Sequence, residues 1–265
     1  MGRASVGFRL AAVFTGLALV FLIAPIFMVV PVSLTPERYL SLPTTGISFR
    51  HYLAIVHNEV WLASLGQSVV VASASAAIAV IAGVAYSIGA WRLGPPWSAL
   101  LTGLALLPLI IPAIVNGVAF FRAWIALGLI DTYTGVILAH AITSLPYVVI
   151  GCSVALANLD RRLEQAARGL GASAWRTARS IIVPNILPGI VAGAIFAFVS
   201  SWDELVVLLF ITSRSIYLLP RAIWDGINEN VDPTIAAIAT LLIALTIVGL
   251  LVEYAWARRR AAEGA

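Results

Sequence analysis

The sequence contains no lysine, a single cysteine and few charged residues of either sign. All 16 basic residues are therefore arginine. A phosphate-binding P-loop needs a lysine to reach the β- and γ-phosphates, so this chain does not hydrolyse ATP by that route. Cys152 has no second cysteine for an internal disulfide and lies within an apolar run. We expect it to be a small core residue.

The shortage of charge also excludes a soluble globular protein. Charged residues make up 11% of the chain and hydrophobic residues 61%, whereas soluble domains carry roughly 25% charged residues. The mean hydropathy is +1.01, and apolar runs of about 20 residues, enough to cross the hydrocarbon core, recur along the chain. These features predict an all-α membrane protein embedded in lipid. The arginines form no patch interleaved with aromatic residues, so nucleic acid is not expected as a partner.

Six apolar runs predict six transmembrane helices. They cover approximately residues 8–32, 62–90, 97–124, 134–157, 182–211 and 233–256. The third run contains Pro108, Pro112 and Asn116, which loosen the backbone and are tolerated only beside protein or a water-lined cavity. His140, in the fourth run, is expected to be packed and hydrogen-bonded within the bundle. His51 and His57 lie in an external segment without a third ligand, so no metal site is predicted.

The distribution of arginine predicts the orientation. One side of the membrane receives eleven arginines: Arg3, Arg9, Arg92, Arg161, Arg162, Arg168, Arg176, Arg179, Arg258, Arg259 and Arg260. The other side receives five: Arg38, Arg50, Arg122, Arg214 and Arg221. Cytoplasmic loops carry the excess of positive charge. We therefore predict a multi-pass protein of the bacterial cytoplasmic (inner) membrane with both termini in the cytoplasm.

The loop at about 158–181 is polar and basic, and it lies between two long apolar runs. Asp160 is a plausible N-cap for a short helix ending near Arg168. Gly169 and Gly171 interrupt the helix, because glycine is costly within a helix and favourable in a turn. Ser173 is placed to cap a second short helix that carries Trp175 and the following arginines. The pattern predicts two short helices joined by a glycine turn.

The spacing within this loop resembles the EAA loop of permease subunits from binding-protein-dependent ABC importers. Ala166-Ala167 is followed after three residues by Gly171, and after nine more by Ile181-Ile182-Val183-Pro184. Two positions depart from the family pattern: Gln165 stands at the motif glutamate with Glu164 one place earlier, and Val183 replaces leucine. The resemblance implies that the loop couples the chain to an ATPase. The implied coupling residues are Glu164, Gln165, Ala166, Ala167, Gly171, Ile181 and Pro184.

A second segment narrows the resemblance. The segment that starts at Ser200 reads SSWDELVVLLFITSRSIYLLPRAIWDGI. It is similar to the corresponding segment in the permease branch that includes spermidine/putrescine transporters. Trp202 stands at a position that phenylalanine commonly occupies in that branch. Relatives for opines, amino-acid derivatives and iron belong to the same machinery, so the cargo stays open. The resemblance implies a single permease domain, residues 1–265, with the type I importer (MetI-like) fold.

The same resemblance implies partners and no cofactor. Two ATPase copies would dock at the coupling loop and use the ATP, and an extracytoplasmic solute-binding protein would deliver the solute. A second permease subunit would complete the pore, expected as a heterodimer although an identical copy is the alternative. Membrane lipid would surround the assembly. The chain itself would be a transport subunit and not an enzyme.

Charged residues in the fifth span are the candidate substrate contacts. A charge at the centre of a span costs about 2.5–3.5 kcal/mol on insertion scales and usually faces a cavity or a partner. Asp203 and Glu204 lie in the outer third, where the cost is lower. They either reach the interface or pair with a residue such as Arg122, or they line the path of a cationic solute, together with Trp202 as a cation–π face and Asn116.

An ion-coupled secondary transporter and an intramembrane enzyme are the two alternative classes of protein. An ion-coupled secondary transporter would show internal repeats and midplane ion-coupling residues, and no repeat is evident in the sequence. An intramembrane enzyme would need a catalytic constellation. Asp203 and Glu204 are adjacent, so on one helix they are expected to point to different faces and not to form a carboxylate pair.

Overall fold

The computed structural model describes residues 6–94, 96–229 and 232–263, and every regular element among them is helical. The helices are α1 (Val6–Ser33), α2 (Arg50–His57), α3 (Glu59–Leu93), α4 (Trp97–Ala105), α5 (Leu107–Ile110), α6 (Ala113–Leu127), α7 (Tyr133–Ala157), α8 (Arg161–Gly169), α9 (Ala174–Thr177), a π-helical turn (Ala178–Ile182), α10 (Val183–Asn185), α11 (Leu187–Trp202), α12 (Val206–Ile211), α13 (Leu219–Glu229) and α14 (Thr234–Glu263). The predicted all-α class is confirmed.

Four continuous helices in the described ranges are long and apolar enough to cross a membrane. They are Ala11–Ser33, Glu59–Leu93, Tyr133–Ala157 and Thr234–Val252. They correspond to the first, second, fourth and sixth predicted spans. α1 contains Pro25 and Pro31 and continues past both to Ser33.

The third predicted span is divided into α4, α5 and α6. The break falls at Ile111 and Pro112, both of which have extended backbone angles. Proline has no N–H and cannot continue the hydrogen-bond ladder. The side-chain amide of Asn116 donates to the carbonyl of Pro108 at 3.0 Å and to that of Ile111 at 3.4 Å, so it satisfies carbonyls that the break leaves without helical partners.

The fifth predicted span is bent and interrupted. The segment Ala174–Asn185 meets Leu187–Trp202 at 76°, with Pro184 and Pro188 in the first turns of α10 and α11. A second break follows Trp202, before α12. Because two of the predicted spans are broken helices, the number six stays a prediction. The orientation also stays a prediction. Arg3, one of the arginines on which it is based, lies outside the described residues.

The chain divides into two compact units, one comprising Met1–Leu62 with Ile223–Ala265 and the other Ala63–Ala222. In the first unit, α14 packs against α1 and against α2. The Ser33 and Tyr52 hydroxyls lie 2.7 Å apart, and Arg50 donates to the carbonyl of Pro36 at 2.8 Å. These contacts fold the segment after α1 back onto the start of α2.

The second unit is centred on the packing of α7 against α11. Glycine allows the two backbones to meet: a Cβ on Gly151 would lie 2.5 Å from the carbonyl oxygen of Gly189, and one on Gly193 would lie 2.8 Å from the Cα of Val148. Small residues permit such close approach between membrane helices. Cys152 is fully buried in the adjoining apolar cluster, which confirms its expected place in the core.

Candidate functional site

The break between α11 and α12 places two carboxylates where no helix continues. α11 ends at Trp202 and α12 begins at Val206. Glu204 accepts a hydrogen bond from the backbone N–H of Val207 at 3.0 Å, which satisfies one of the first N–H groups of α12. Glu204 is half-buried and Asp203 is exposed. The polar sequence therefore forms a loop within an apolar region and supplies its own cap.

Asp203 and Glu204 line the same cavity. Its volume is about 310 Å³, and its walls are Tyr147, Phe196, Val199, Ser200, Asp203 and Glu204. The expectation that these adjacent carboxylates point to different faces is wrong, because it assumed a continuous helix and α11 has already ended at Trp202. In a helix, neighbouring side chains are rotated by about 100° around the axis. Residues in a non-helical break do not follow this rotation, so two neighbours can face the same cavity.

A second cavity adjoins the first. Its volume is about 290 Å³, and it shares Tyr147, Ser200 and Glu204 with the first. The remaining walls come from the α5–α6 break and from α7: Pro108, Leu109, Ile110, Ile111, Pro112, Ala113, Asn116 and Thr143. The structure therefore brings two of the predicted path residues, Asn116 and Glu204, to one cavity between two helix breaks.

No positive side chain neutralises these carboxylates within the described ranges. An ion pair joins Arg92 to Glu164 elsewhere in this unit, whereas Arg122 does not reach Asp203 or Glu204. The interpretation in which Asp203 or Glu204 pairs with Arg122 therefore has no support in the geometry. A group of two carboxylates beside a tyrosine, an asparagine and two hydroxyl residues is suited to a ligand with positively charged hydrogen-bond donors.

The aromatic side chains at the cavity differ from the one predicted. Trp202 is half-buried and stacks on Phe198, with ring centroids 5.9 Å apart, and it lines neither cavity. Tyr147 lines both, and its ring stacks on Phe196 at 6.3 Å with an interplanar angle of 14°. Sequence reasoning missed Tyr147, although a tyrosine directly after Pro146 in an apolar span was a usable signal.

His140 lies in α7, the helix that supplies Thr143 and Tyr147 to the second cavity. It is fully buried, and its Nδ1 lies 3.0 Å from the hydroxyl of Ser201. The expectation of a packed, hydrogen-bonded histidine within the bundle is confirmed, and His140 lines neither of the two cavities.

The loop at 158–181 forms the two short helices that its sequence predicts. The Asp160 side chain accepts from the N–H of Arg162 at 2.9 Å at the start of α8, and Ser173 accepts from the N–H of Arg176 at 3.2 Å at the start of α9. Gly171 lies between them with φ +85°, a conformation that favours glycine. Both predicted caps and the glycine turn are confirmed.

Two large apolar side chains of this loop are strongly exposed. Leu170 is 90% exposed and Trp175 is 75% exposed, on either side of the glycine turn. Of the predicted coupling residues, Gln165, Ala166, Gly171 and Pro184 are exposed, while Ala167 and Ile181 are half-buried. Glu164 is turned toward Arg92 of α3, at 2.8 Å. The sequence did not single out Leu170.

Comparison with known proteins establishes the family. Residues 1–261 match the model of the binding-protein-dependent transport system inner membrane component. The chain belongs to this family, and it is therefore a permease component of an ABC importer, which is a transport subunit of the membrane.

Individual relatives cover most of the chain. It is 30% identical to the spermidine/putrescine transport system permease protein PotC of Haemophilus influenzae, over 86% of this chain and 88% of that protein. It is 29% identical to the putrescine transport system permease protein PotI of Escherichia coli strain K12, over 91% and 89%. It is also 30% identical to the trehalose transport system permease protein SugB of Mycobacterium tuberculosis, over 89% and 88%.

Solved structures show the same fold. A chain of a bacterial ABC transporter involved in the import of the acidic polysaccharide alginate superposes with a TM-score of 0.72, 17% identity and coverage of 96% of this chain and 99% of that one. A chain of an amino acid ABC transporter with histidines gives a TM-score of 0.53 at 20% identity, over 77% and 96%. The predicted importer permease fold is confirmed.

Proposed function

We propose that this permease moves a cationic solute of the polyamine type, such as spermidine or putrescine, across the cytoplasmic membrane through the cavities at Glu204. The solute would arrive from an extracytoplasmic binding protein. The observation that carries the proposal is the pair of carboxylates, Asp203 and Glu204, in one cavity without a basic partner among the described side chains.

The chemistry of the two cavities suits an extended amine. Protonated amines carry several N–H donors, and carboxylates, amide oxygens and hydroxyls accept them. Tyr147 and the Phe196 ring stacked on it offer an aromatic wall, and a cation over such a face gains about 0.5–2 kcal/mol depending on desolvation. The two cavities share Tyr147 and Glu204, so a linear molecule with spaced amines fits along them.

The names of the relatives are compatible with a polyamine solute but do not identify the solute of this chain. PotC and PotI carry polyamine names, whereas SugB is named for trehalose at a similar identity. A neutral sugar would use the same hydroxyl and amide groups, including Asn116, Thr143 and Ser200. Sugar hydroxyls could also donate to the carboxylates, but only a cationic solute would compensate their negative charge, which distinguishes the candidates.

The coupling loop is the proposed docking site of the ATPase. Leu170 and Trp175 form an exposed apolar tip next to the motif residues Ala166, Ala167 and Gly171. Exposed apolar side chains concentrated at one tip mark an interaction surface. ATP-driven closure of two ATPase copies would draw the two coupling loops of a permease pair together. That movement would turn the bundle from inward-open to outward-open.

The decisive experiment measures uptake into proteoliposomes that contain the complete transporter and its binding protein. Glu204→Gln keeps an oxygen that can accept from Val207 N–H, so it removes charge and preserves the cap. Asp203→Asn removes the second charge. Together they should lower spermidine uptake at subsaturating solute about tenfold or more, because hydrogen bonds to charged groups contribute about 1.5–3 kcal/mol.

The matched control is Glu59→Gln, an exposed carboxylate at the start of α3 that lines neither cavity. It should leave uptake unchanged. Normal spermidine uptake by the Asp203→Asn/Glu204→Gln double variant would reject the cationic site. Trehalose uptake that is unaffected by the double variant would favour the sugar candidate.

A further inference from the structure

The cytoplasmic end of α3 is fastened to the coupling loop by a group of polar contacts. The Nε of Arg92 donates to a carboxylate oxygen of Glu164 at 2.8 Å. Its Nη2 donates to the carbonyl oxygen of Ala174 at 3.0 Å. Glu164 lies in α8 and Ala174 opens α9, so one guanidinium binds both short helices, on the two sides of the glycine turn.

A second arginine, Arg161 in α8, contacts the same end of α3. The Nη2 of Arg161 donates to the carbonyl oxygen of Trp91 at 2.6 Å, and its guanidinium lies 4.8 Å from the centre of the Trp91 ring. The carbonyl of Trp91 is one of the last four of α3 and has no partner within that helix. Arg161 therefore caps α3 and stacks on it.

The pair is partly shielded from water. The side chains of Arg92 and Glu164 are 29% and 12% exposed. A planar guanidinium presents several donors in a fixed fork, which allows Arg92 to hold a carboxylate and a carbonyl at once. The more compact ammonium of lysine lacks this geometry.

Further along, α3 contacts the helix that carries the cavity wall. The hydroxyl of Ser75 donates to the carbonyl of Ile137 in α7 at 3.0 Å. Gly83 lies so close to α7 that an added Cβ would meet the Val148 side chain at 2.7 Å. α7 supplies Thr143 and Tyr147 to the cavities. A continuous packed route therefore leads from the coupling loop through α3 to the proposed solute path.

We propose that Arg92 is a positioning residue of the transport cycle: through Glu164 and Ala174 it fastens α3 to the coupling loop, so that displacement of the loop moves α3 and the cavity wall on α7. The inference rests on the proposed docking of the loop on an ATPase. Glu164 thereby has its role within this chain, holding α3, and not on the ATPase surface.

The test measures solute transported per ATP hydrolysed, in proteoliposomes with the ATPase, the binding protein and its solute present. Arg92→Gln and Glu164→Gln each remove the ion pair. Both should leave ATPase copurification at the wild-type level and lower transport per ATP roughly 2- to 30-fold, the range found for residues that carry coupling between sites. Arg92→Lys should recover part of the loss at most.

Arg122→Gln is the matched control, since Arg122 is an exposed arginine of α6, outside the docking loop and both cavities, and its side chain has no hydrogen bond or ion pair among the described contacts. It should keep the wild-type ratio. Unchanged transport per ATP in Arg92→Gln and Glu164→Gln, with the ATPase bound, would overturn the fastening role and leave the docking proposal intact. Loss of the ATPase from both variants would also overturn it, because the residues would then act in docking.

A cross-linking experiment separates mechanical fastening from a general structural role. The test uses a variant in which Cys152 is replaced by serine and Arg92 and Glu164 are both replaced by cysteine. These two introduced cysteines are then the only thiols in the chain. The doubly substituted permease should transport poorly per ATP, and a short bis-maleimide joining the two thiols should restore much of the ratio. Each single cysteine should not respond to the reagent. A cross-linked protein whose ratio stays low would contradict the proposal.

Discussion

The carboxylate of Asp131 accepts a hydrogen bond from the backbone N–H of Ser213 at 2.9 Å, although 82 residues separate them. The N–H groups of Arg214, Ser215 and Ile216 donate to the same carboxylate at 2.9–3.2 Å. Asp131 itself has φ +56°, a conformation that aspartate and asparagine adopt more readily than most residues. One side chain in the α6–α7 connection thus determines the shape of the α12–α13 connection.

The first prediction concerns this clamp. In Asp131→Asn one oxygen can still accept, but the amide NH₂ faces backbone donors in place of the second oxygen. We expect a loss of about 1 kcal/mol or more of stability, because bonds to charged groups contribute about 1.5–3 kcal/mol and the site is partly exposed. Thermal unfolding in detergent measures it. Asp160→Asn is the control, since asparagine caps a helix as well as aspartate does.

The second prediction is the pH dependence of the stability difference between the wild type and Asp131→Asn. Burial by itself would raise the pKa of Asp131, but the four backbone N–H donors outweigh it and hold the pKa well below its ordinary value. A carboxyl with a lowered pKa in the folded state stabilises the protein above its unfolded pKa of about 3.9 and loses that contribution as the pH falls through the folded pKa. The gap in melting temperature between wild type and Asp131→Asn should be constant from pH 7 to about 5 and narrow below about 4. A gap that persists unchanged to pH 3 would speak against the assignment.

The third prediction uses two glycines of the coupling loop. Gly171 has φ +85°, and an added Cβ at either Gly171 or Gly169 meets no atom within 4 Å. The two sites therefore differ in backbone conformation and not in space. Gly171→Val should strain the turn by about 1–2 kcal/mol or more and reduce ATPase recovery and its stimulation by loaded binding protein. Gly169→Ala should have neither effect. Equal behaviour of the two variants would remove the conformational explanation.

The fourth prediction concerns the α7–α11 contact. A Cβ on Gly151 would lie 2.5 Å from the carbonyl oxygen of Gly189, which is backbone and cannot turn aside. Gly151→Ala should therefore separate the two helices and destabilise the protein by about 1–3 kcal/mol, the usual cost of overpacking. Gly66→Ala, at an open position on α3, is the matched control. Melting temperature and yield in detergent are the measurements, and wild-type values for Gly151→Ala would show that the helices do not meet so closely.

The fifth prediction is the orientation. In a Cys152-free background, an impermeant thiol reagent applied to intact cells should label Thr45→Cys and Ser213→Cys and should not label Leu93→Cys. All three positions are exposed, so accessibility to the reagent reports the side of the membrane. Labelling of Leu93→Cys to the same extent as Ser213→Cys would overturn the predicted cytoplasmic position of the coupling loop.

The membrane class, the apolar runs and the coupling loop were accessible from sequence because they depend on local properties. Asp160 and Ser173 cap α8 and α9 through N–H groups two or three residues away. Gly171 needs its left-handed backbone within one turn. The spacing from Ala166 to Pro184 likewise lies in one continuous stretch. Such features need no knowledge of what packs against them.

The cavities and the fastening of α3 were decided by tertiary structure. Tyr147 and Glu204 line the same cavities because α7 and α11 pack through Gly151 and Gly189 and because α11 ends at Trp202. The sequence predicted a continuous span at that point. In a continuous helix, the adjacent residues Asp203 and Glu204 would point to different faces. Arg92 is 72 residues from Glu164, and no local pattern relates positions that far apart. By itself the sequence determined the all-helical membrane class and the caps and glycine turn of the loop at 158–181, since hydropathy and turn chemistry act locally. Only the packed helices and their breaks decided which polar side chains share a cavity.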